Sequence, residues 1–248
     1  MDRELRGMLA HADHPISAPV NDANVHKLMA RAVVAPDSHV LDLGCGTGTW
    51  LQRLLAERPG TTGVGVDSGP RTVEAARRSA EELGLADRLT LHCLDAKEYR
   101  CERRADAVFC VGATHAFGGL RETVLGCAEH LAEGGTMLIG DGFWERPPGE
   151  ATLRALDCTA EEYRDLHGTV ELVEKLGWQV VYAHTSTLDE WDDYEWNWTG
   201  SLTRWALTNP GHEAAADALE EAARHRTAWL NGYRGTLGFV TMLLMRND

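Results

Sequence analysis

The sequence predicts an α/β fold, a doubly wound and mostly parallel sheet with helices on both faces. Three observations carry that prediction. Apolar runs of strand length alternate with helical patterns along most of the chain. The first run, Val40 to Leu43, breaks into alternating glycines at Gly44, Gly46 and Gly48, and the next two strand-like runs close on acids, Asp67 and Asp95. In such folds ligands gather outside the carboxyl ends of the strands, where this glycine turn falls.

Taken in order, residues 1 to 36 begin polar and pass the breakers His14-Pro15 and Ala18-Pro19. They then place Val25, Leu28, Met29, Ala32 and Val33 on one helical face, with Asn21 or Asp22 near its start and Pro36 beyond its end. After the Val40 strand and the glycine turn, Leu51, Leu54 and Leu55 resume at helical spacing until Pro59-Gly60. Gly63 to Asp67 is a second strand, and Pro70 opens a helix that Gly84 closes. Arg88 to Asp95 alternates as a third strand, whereas Ala105 to Val111 is apolar but for Asp106, as a strand buried on both faces is. A helix over Gly119 to Leu131 and a fifth strand over Gly135 to Gly140 follow. Thr159-Ala-Glu-Glu162 reads as a capping box opening a helix that ends before Gly177, and Trp178 to His184 as a sixth strand. Thr236 to Arg246 is a last β-type run whose direction the pattern leaves open. The whole is read as one domain over 1–248: an N-terminal cap 1–36, a core 37–140, and a C-terminal half 141–248 with a Trp-rich insertion at 187–235.

Composition narrows the function. With 38 acidic against 24 basic residues the formal charge is −14, and no basic stripe is present, which disfavours a nucleic-acid partner. The six cysteines form no Cys-x-x-Cys pair and read as reduced, mostly buried thiols; no metal-ligand spacing is found. The start of the chain lacks an apolar leader, and its longest apolar run, Leu237 to Met245, is too short to span a bilayer. The expectation is a cytoplasmic protein without a membrane partner, its oligomeric state open.

The glycine spacing then selects a ligand. A dinucleotide turn needs Gly-x-Gly-x-x-Gly, but here position 49 is Thr, and no Gly-Lys-Ser or Gly-Lys-Thr makes a phosphate loop. A nucleoside carrying a carboxylate suits better: the helix amides after Gly48 favour an anion, Asp67 can meet two ribose hydroxyls, and Asp95 stands where an adenine amino group would lie.

Leu41-Asp-Leu-Gly-Cys-Gly-Thr-Gly48, then Asp67, Asp95-Ala96 and the Asp106 to Val111 run, together resemble the class I, Rossmann-like, S-adenosylmethionine-dependent methyltransferases over about residues 37 to 140. The resemblance implies a seven-stranded sheet with an antiparallel last strand and S-adenosylmethionine as cofactor. It implies that Asp42, Gly44, Gly46 and Gly48 carry the methionine end, Asp67 the ribose, and Asp95 with Ala96 the adenine; Cys45, Ser68 and Val111 are the further candidate cofactor contacts.

For the acceptor, the end of the fourth strand reads Cys110-Val-Gly-Ala-Thr-His115-Ala-Phe117, without the Asn/Asp-Pro-Pro-Tyr pattern of the family's DNA amine methyltransferases. A small molecule methylated on oxygen or nitrogen is expected, with His115 as a general base in a Gly-rich loop and Phe117 beside it. His14 in the N-terminal cap, Trp144 and Glu145 in a loop after the fifth strand, and Trp196 in the insertion are the other candidate acceptor contacts. Within the insertion, Trp191, Tyr194, Trp198, Leu202 and Trp205 form a helical stripe expected to be core. Gly200-Ser201 is expected to interrupt the helix, and the acids Asp189 to Glu195 to form a solvated face. The alternatives are a non-catalytic cofactor sensor or partner subunit, a nicotinamide oxidoreductase and a protein methyltransferase.

Overall fold

Seven strands build one sheet: β1 (His39–Leu43), β2 (Thr62–Asp67), β3 (Leu89–Cys93), β4 (Ala105–Val111), β5 (Leu131–Trp144), β6 (Gln179–Thr185) and β7 (Leu237–Met245). In this computed structural model, which describes residues 1–246, they lie in the order β3-β2-β1-β4-β5-β7-β6. The pairs β1/β2, β1/β4, β2/β3 and β4/β5 are parallel, and β6/β7 is antiparallel. The last strand thus runs as the resemblance implied. The fold is a mixed seven-stranded sheet with flanking helices, further helices at the N-terminus, and a helical insertion before the last strand.

The helices are α1 (Arg3–Ala10), α2 (Asp22–Ala32), α3 (Thr49–Glu57), α4 (Pro70–Glu82), α5 (Leu120–Ala128), α6 (Glu150–Leu156), α7 (Leu166–Lys175), α8 (Leu188–Thr208) and α9 (Ala215–Ala228). A single π-turn, Trp229–Tyr233, continues α9. The chain forms two compact units. A sheet unit comprises Asn21–Gly142, His167–Thr185 and the residues from Phe239 on; a helical unit comprises Met1–Val20, Phe143–Leu166 and Ser186–Gly238.

In the sheet unit the central strands β1 and β4 carry the apolar runs read from sequence. Leu41, Leu43, Phe109, Met137 and Leu138 are almost wholly buried, together with Leu51, Leu54 and Leu55 of α3. Each such side chain contributes roughly 1.5–3 kcal/mol on leaving water, so this layer fixes where the strand ends, and hence the glycine turn, must sit. In the helical unit, Trp198, Leu202 and Ala206 of α8 pack on Ala10 and on Ala215, Ala218 and Ala222 of α9. Of the aromatic stripe, Trp198 and Leu202 are core, Tyr194 and Trp205 pack half-buried against it, and Trp191 lies outside this cluster. No helix of the described residues is long and apolar enough to cross a membrane.

Several local expectations are corrected. Thr159 to Glu162 does not open a helix: it closes a single turn, the Glu162 amide donating to the Thr159 carbonyl at 3.2 Å, and α7 starts only at Leu166, after a bridge at Asp165 to the end of β5, where the Trp144 amide donates to the Arg164 carbonyl at 2.7 Å. For the same reason Gly140 to Trp144 is not a loop but the last part of the fourteen-residue β5. The Gly200-Ser201 pair does not interrupt α8, whose twenty-one residues are continuous behind a capping box of Thr187 and Glu190. A helix before His14, α1, went unread; Asp2 caps it by accepting the Leu5 amide. Of the acids expected on a solvated face, Glu190 and Glu195 are buried. Three of the six cysteines, Cys45, Cys110 and Cys127, are buried, and all six are free.

Candidate active site

The first candidate site grows from the carboxyl ends of β1 and β2. Gly44 and Gly46 take positive φ angles of 81° and 55°, which side-chain-bearing residues rarely adopt. The amides of Gly44 and Cys45 both donate to the Val66 carbonyl, at 2.8 and 3.0 Å, and so pin the turn to β2. A Cβ on Gly44 would collide with that of Ala113, whereas one on Gly46 would meet no atom within 4 Å. The turn is therefore packed on one side and open on the other, as a backbone that receives a ligand must be.

Asp67 ties the parts together. Its Oδ2 accepts the Gly46 amide at 3.0 Å and its Oδ1 the Gly69 amide at 2.9 Å, so one carboxylate orients both the glycine turn and the start of α4. Each oxygen keeps a second lone pair, enough to accept the two hydroxyls of a ribose. Below the turn, Asp42 is buried, and desolvation first, with the charge of Asp67 second, pushes its carboxyl up to about 7. A cationic amino group nearby would favour the ionised form. Burial also drives the Cys45 thiol well above its ordinary range, which leaves it a packed thiol rather than a nucleophile.

α3 begins at Gly48 with no side-chain cap, so its first-turn amides are available to a carboxylate. Gln52, absent from the sequence reading, braces this start: its Nε2 donates to the Thr47 and Ala76 carbonyls, both at 3.1 Å, and its Oε1 accepts the Ser79 hydroxyl at 2.9 Å. An amide among the leucines of a buried helix was the available signal. Beyond β2 and β3, Ser68 and Asp95 are exposed, Ala96 is buried, and Asp95 Oδ1 accepts the Lys97 amide at 2.9 Å.

At the end of β4, Val111 is half-buried, and His115 stands exposed on a short 3-10 turn, Thr114–Ala116. That turn is locked. The Thr114 hydroxyl donates to Asp141 Oδ1 at 2.7 Å, and its carbonyl accepts the Gly119 amide at 3.1 Å. Thr114 and Asp141 were not singled out from sequence, because Asp141 sits in a Gly-Asp-Gly stretch that reads as a turn. Phe117 is buried, its ring filling the space left by Gly126.

The other candidates belong to the helical unit. Trp144 is buried, with its indole donating to the Ala160 carbonyl at 2.8 Å. Glu145 is exposed, and its amide donates to the Thr236 carbonyl at 2.9 Å. Trp196 is 52% exposed and lies edge-on to Trp229, whereas His14 is buried against Tyr194. Trp144 and Tyr163 form their own edge-on pair.

Comparison with known proteins agrees with this geometry. Residues 40–135 match a family described as a methyltransferase domain. The chain is 31% identical over 216 residues to the uncharacterized protein YjhP of Escherichia coli K12, spanning 86% of each. It is similar to a SAM-dependent methyltransferase from Geobacter sulfurreducens in complex with S-adenosylhomocysteine, at 29% identity and a TM-score of 0.90 over 100% of this chain and 99% of that one. A SAM-dependent methyltransferase from Thiobacillus denitrificans, with the same ligand, aligns at 29% identity and a TM-score of 0.89 over 100% and 99%. The packed turn, the doubly bound acid at the end of β2 and these relatives lead to one conclusion: the chain belongs to the class I S-adenosylmethionine-dependent methyltransferases, and S-adenosylmethionine is its cofactor.

Proposed function

We propose that the protein transfers the S-methyl group to an oxygen or nitrogen atom of a small molecule, with His115 as general base. The observation that carries this is the imidazole exposed at the end of β4 on a turn fixed by the buried Thr114–Asp141 hydrogen bond. In the same reading Asp67, with Ser68 beside it, holds the ribose, Asp95, Ala96 and Val111 the adenine, and Asp42 with the turn from Gly44 through Cys45 and Gly46 to Gly48 the methionine end. The formal charge of −14 favours a small acceptor over a nucleic acid.

The sulfonium supplies an already activated methyl group, so the protein's part is orientation and proton transfer. As the acceptor's lone pair forms the new bond to carbon, the carbon–sulfur bond breaks and its electrons stay on sulfur. The proton lost by the acceptor passes to His115, and S-adenosylhomocysteine leaves. A base must be unprotonated, so the rate should fall toward low pH.

The test is to incubate the enzyme with tritium-methyl cofactor and a cell extract divided by ultrafiltration. Label should enter the low-mass fraction, and His115→Ala should lower kcat/KM for the acceptor by about 10²–10⁴-fold and remove the acid limb of the profile. Label in protein instead, or an unchanged rate and profile in the variant, would overturn the acceptor class or the base respectively.

A further inference from the structure

Between β4 and α5 the chain passes through a turn with glycines on both sides. Gly112 before it and Gly118 and Gly119 after it hold φ angles of 73°, 98° and 121°, a region that few other residues adopt. A short segment between such residues can pivot as a body, so the position of His115 depends on what ties the segment down. Thr114 does so in two directions. Its carbonyl accepts the Phe117 amide at 3.0 Å and the Gly119 amide at 3.1 Å, which closes the turn on itself. Its hydroxyl reaches outward to β5 and donates to Asp141 Oδ1 at 2.7 Å.

The anchor at the far end of that bond is itself fixed. Asp141 Oδ1 also accepts the Gly142 amide at 2.9 Å, and the two strands meet in register there, Val111 beside Gly140, with the Gly112 amide donating to the Gly140 carbonyl at 3.0 Å. On the other flank the Phe117 ring occupies the notch at Gly126 of α5, where a Cβ would come within 2.7 Å of it, and the Thr123 hydroxyl holds the Gly119 carbonyl at 2.8 Å. Thr114 and Asp141 are 7% and 9% exposed, so water competes poorly for their hydrogen bond, whereas His115 in the middle of the turn is exposed. Sinking a carboxyl group beneath a surface turn is unfavourable unless it is well bonded, and a merely tolerated turn does not need one. A turn that carries a base does, because proton transfer needs heavy atoms about 2.6–3.2 Å apart and a misplacement of about 1 Å can cost 10²-fold in rate.

We infer that Thr114 and Asp141 are positioning residues for methyl transfer: their hydrogen bond sets where the His115 imidazole meets the acceptor's proton, and they act through His115. This rests on the reading of His115 as the base. The test measures label transfer from tritium-methyl cofactor to the low-mass fraction by the full chain, at acceptor levels where the initial rate reports kcat/KM, alongside calorimetry with S-adenosylhomocysteine. Thr114→Val, which keeps the shape and removes the hydroxyl, should lower the rate by about 10–100-fold and leave S-adenosylhomocysteine affinity within about twofold. Thr114→Ser, which keeps the hydroxyl, should recover most of that loss. Placed on His115→Ala, Thr114→Val should cost less than about twofold more, since residues acting as a unit are not additive. If Thr114→Val does not fold, Thr114→Ser against Thr114→Ala, two small side chains that differ only in the hydroxyl, carries the same expectation. A full further loss on His115→Ala, a loss that appears instead as weaker S-adenosylhomocysteine binding, or an unimpaired folded Thr114→Val would overturn the inference. The two readings fail separately: an unchanged rate in His115→Ala removes the base and the pair's role with it, while a loss there beside an unimpaired Thr114→Val removes the pair's role alone.

Discussion

Asp67 accepts two backbone amides, and in the proposed reading it must hold the hydroxyls of the cofactor's ribose as well. Asp67→Ala should therefore cost more than a ligand contact alone, because the Gly46 amide at 3.0 Å loses its acceptor as well. We expect a loss of about 1–3 kcal/mol in S-adenosylhomocysteine affinity, roughly tenfold or more by calorimetry; unchanged affinity would remove Asp67 from the site. Asp42 makes a different prediction, on stability. Its carboxyl is raised to about 7 in the fold, so the native state holds the proton more tightly than the unfolded chain does. Stability from this group is greatest at and below the ordinary carboxylate range, declines as pH rises toward 7, and levels off above it. Asp42→Asn should flatten that decline, raising the melting temperature of the cofactor-free protein at pH 8 relative to wild type; parallel melting curves from pH 5 to 8 would contradict the assignment. Both acids stood out in the sequence because one directly precedes the glycine turn and the other closes the next strand. Thr114, Asp141 and Gln52 were not, since their importance lies in partners that are 27, 27 and 24 residues away.

At the scale of elements, Ala105 to Val111 was read to its ends, because a strand buried on both faces writes an apolar run, here unbroken from Ala107 on, into the sequence. The far end of β5 was hidden for the opposite reason. Gly140-Asp-Gly142 looks like a turn, and only the pairing of Trp144 with Arg164, twenty residues on, keeps it extended. In α8 the error came from weighting Gly200 as a breaker when the helix packs well on either side of it. A Cβ at Gly200 would meet nothing within 4 Å, and the helix is continuous there. Gly200→Ala should thus stabilise by up to about 1 kcal/mol, whereas Leu202→Ala, two residues on and fully buried, should cost about 2–5 kcal/mol. Chemical denaturation of both variants checks the pair, and a destabilising Gly200→Ala would mean that the backbone there is not helical.

For the whole molecule, charge decides more than shape. At −14 the protein should leave the mobility of a labelled DNA duplex unchanged at physiological salt, and a retarded band would reopen a nucleic-acid acceptor. The doubly wound architecture was legible from the alternation of strands and helices. The division into two units was not, because each is assembled from three separate stretches of chain. One consequence lies in the sheet order: β7 sits between β5 and β6, yet it is made after both. During synthesis the ribosome therefore releases the glycine turn and its acids, on β1 and β2, long before the sheet can be completed. Until the segment around Phe239 to Leu244 emerges, two strands stand open with unsatisfied edges, a window in which a nascent chain depends on chaperones or on speed to escape edge-to-edge pairing with its neighbours.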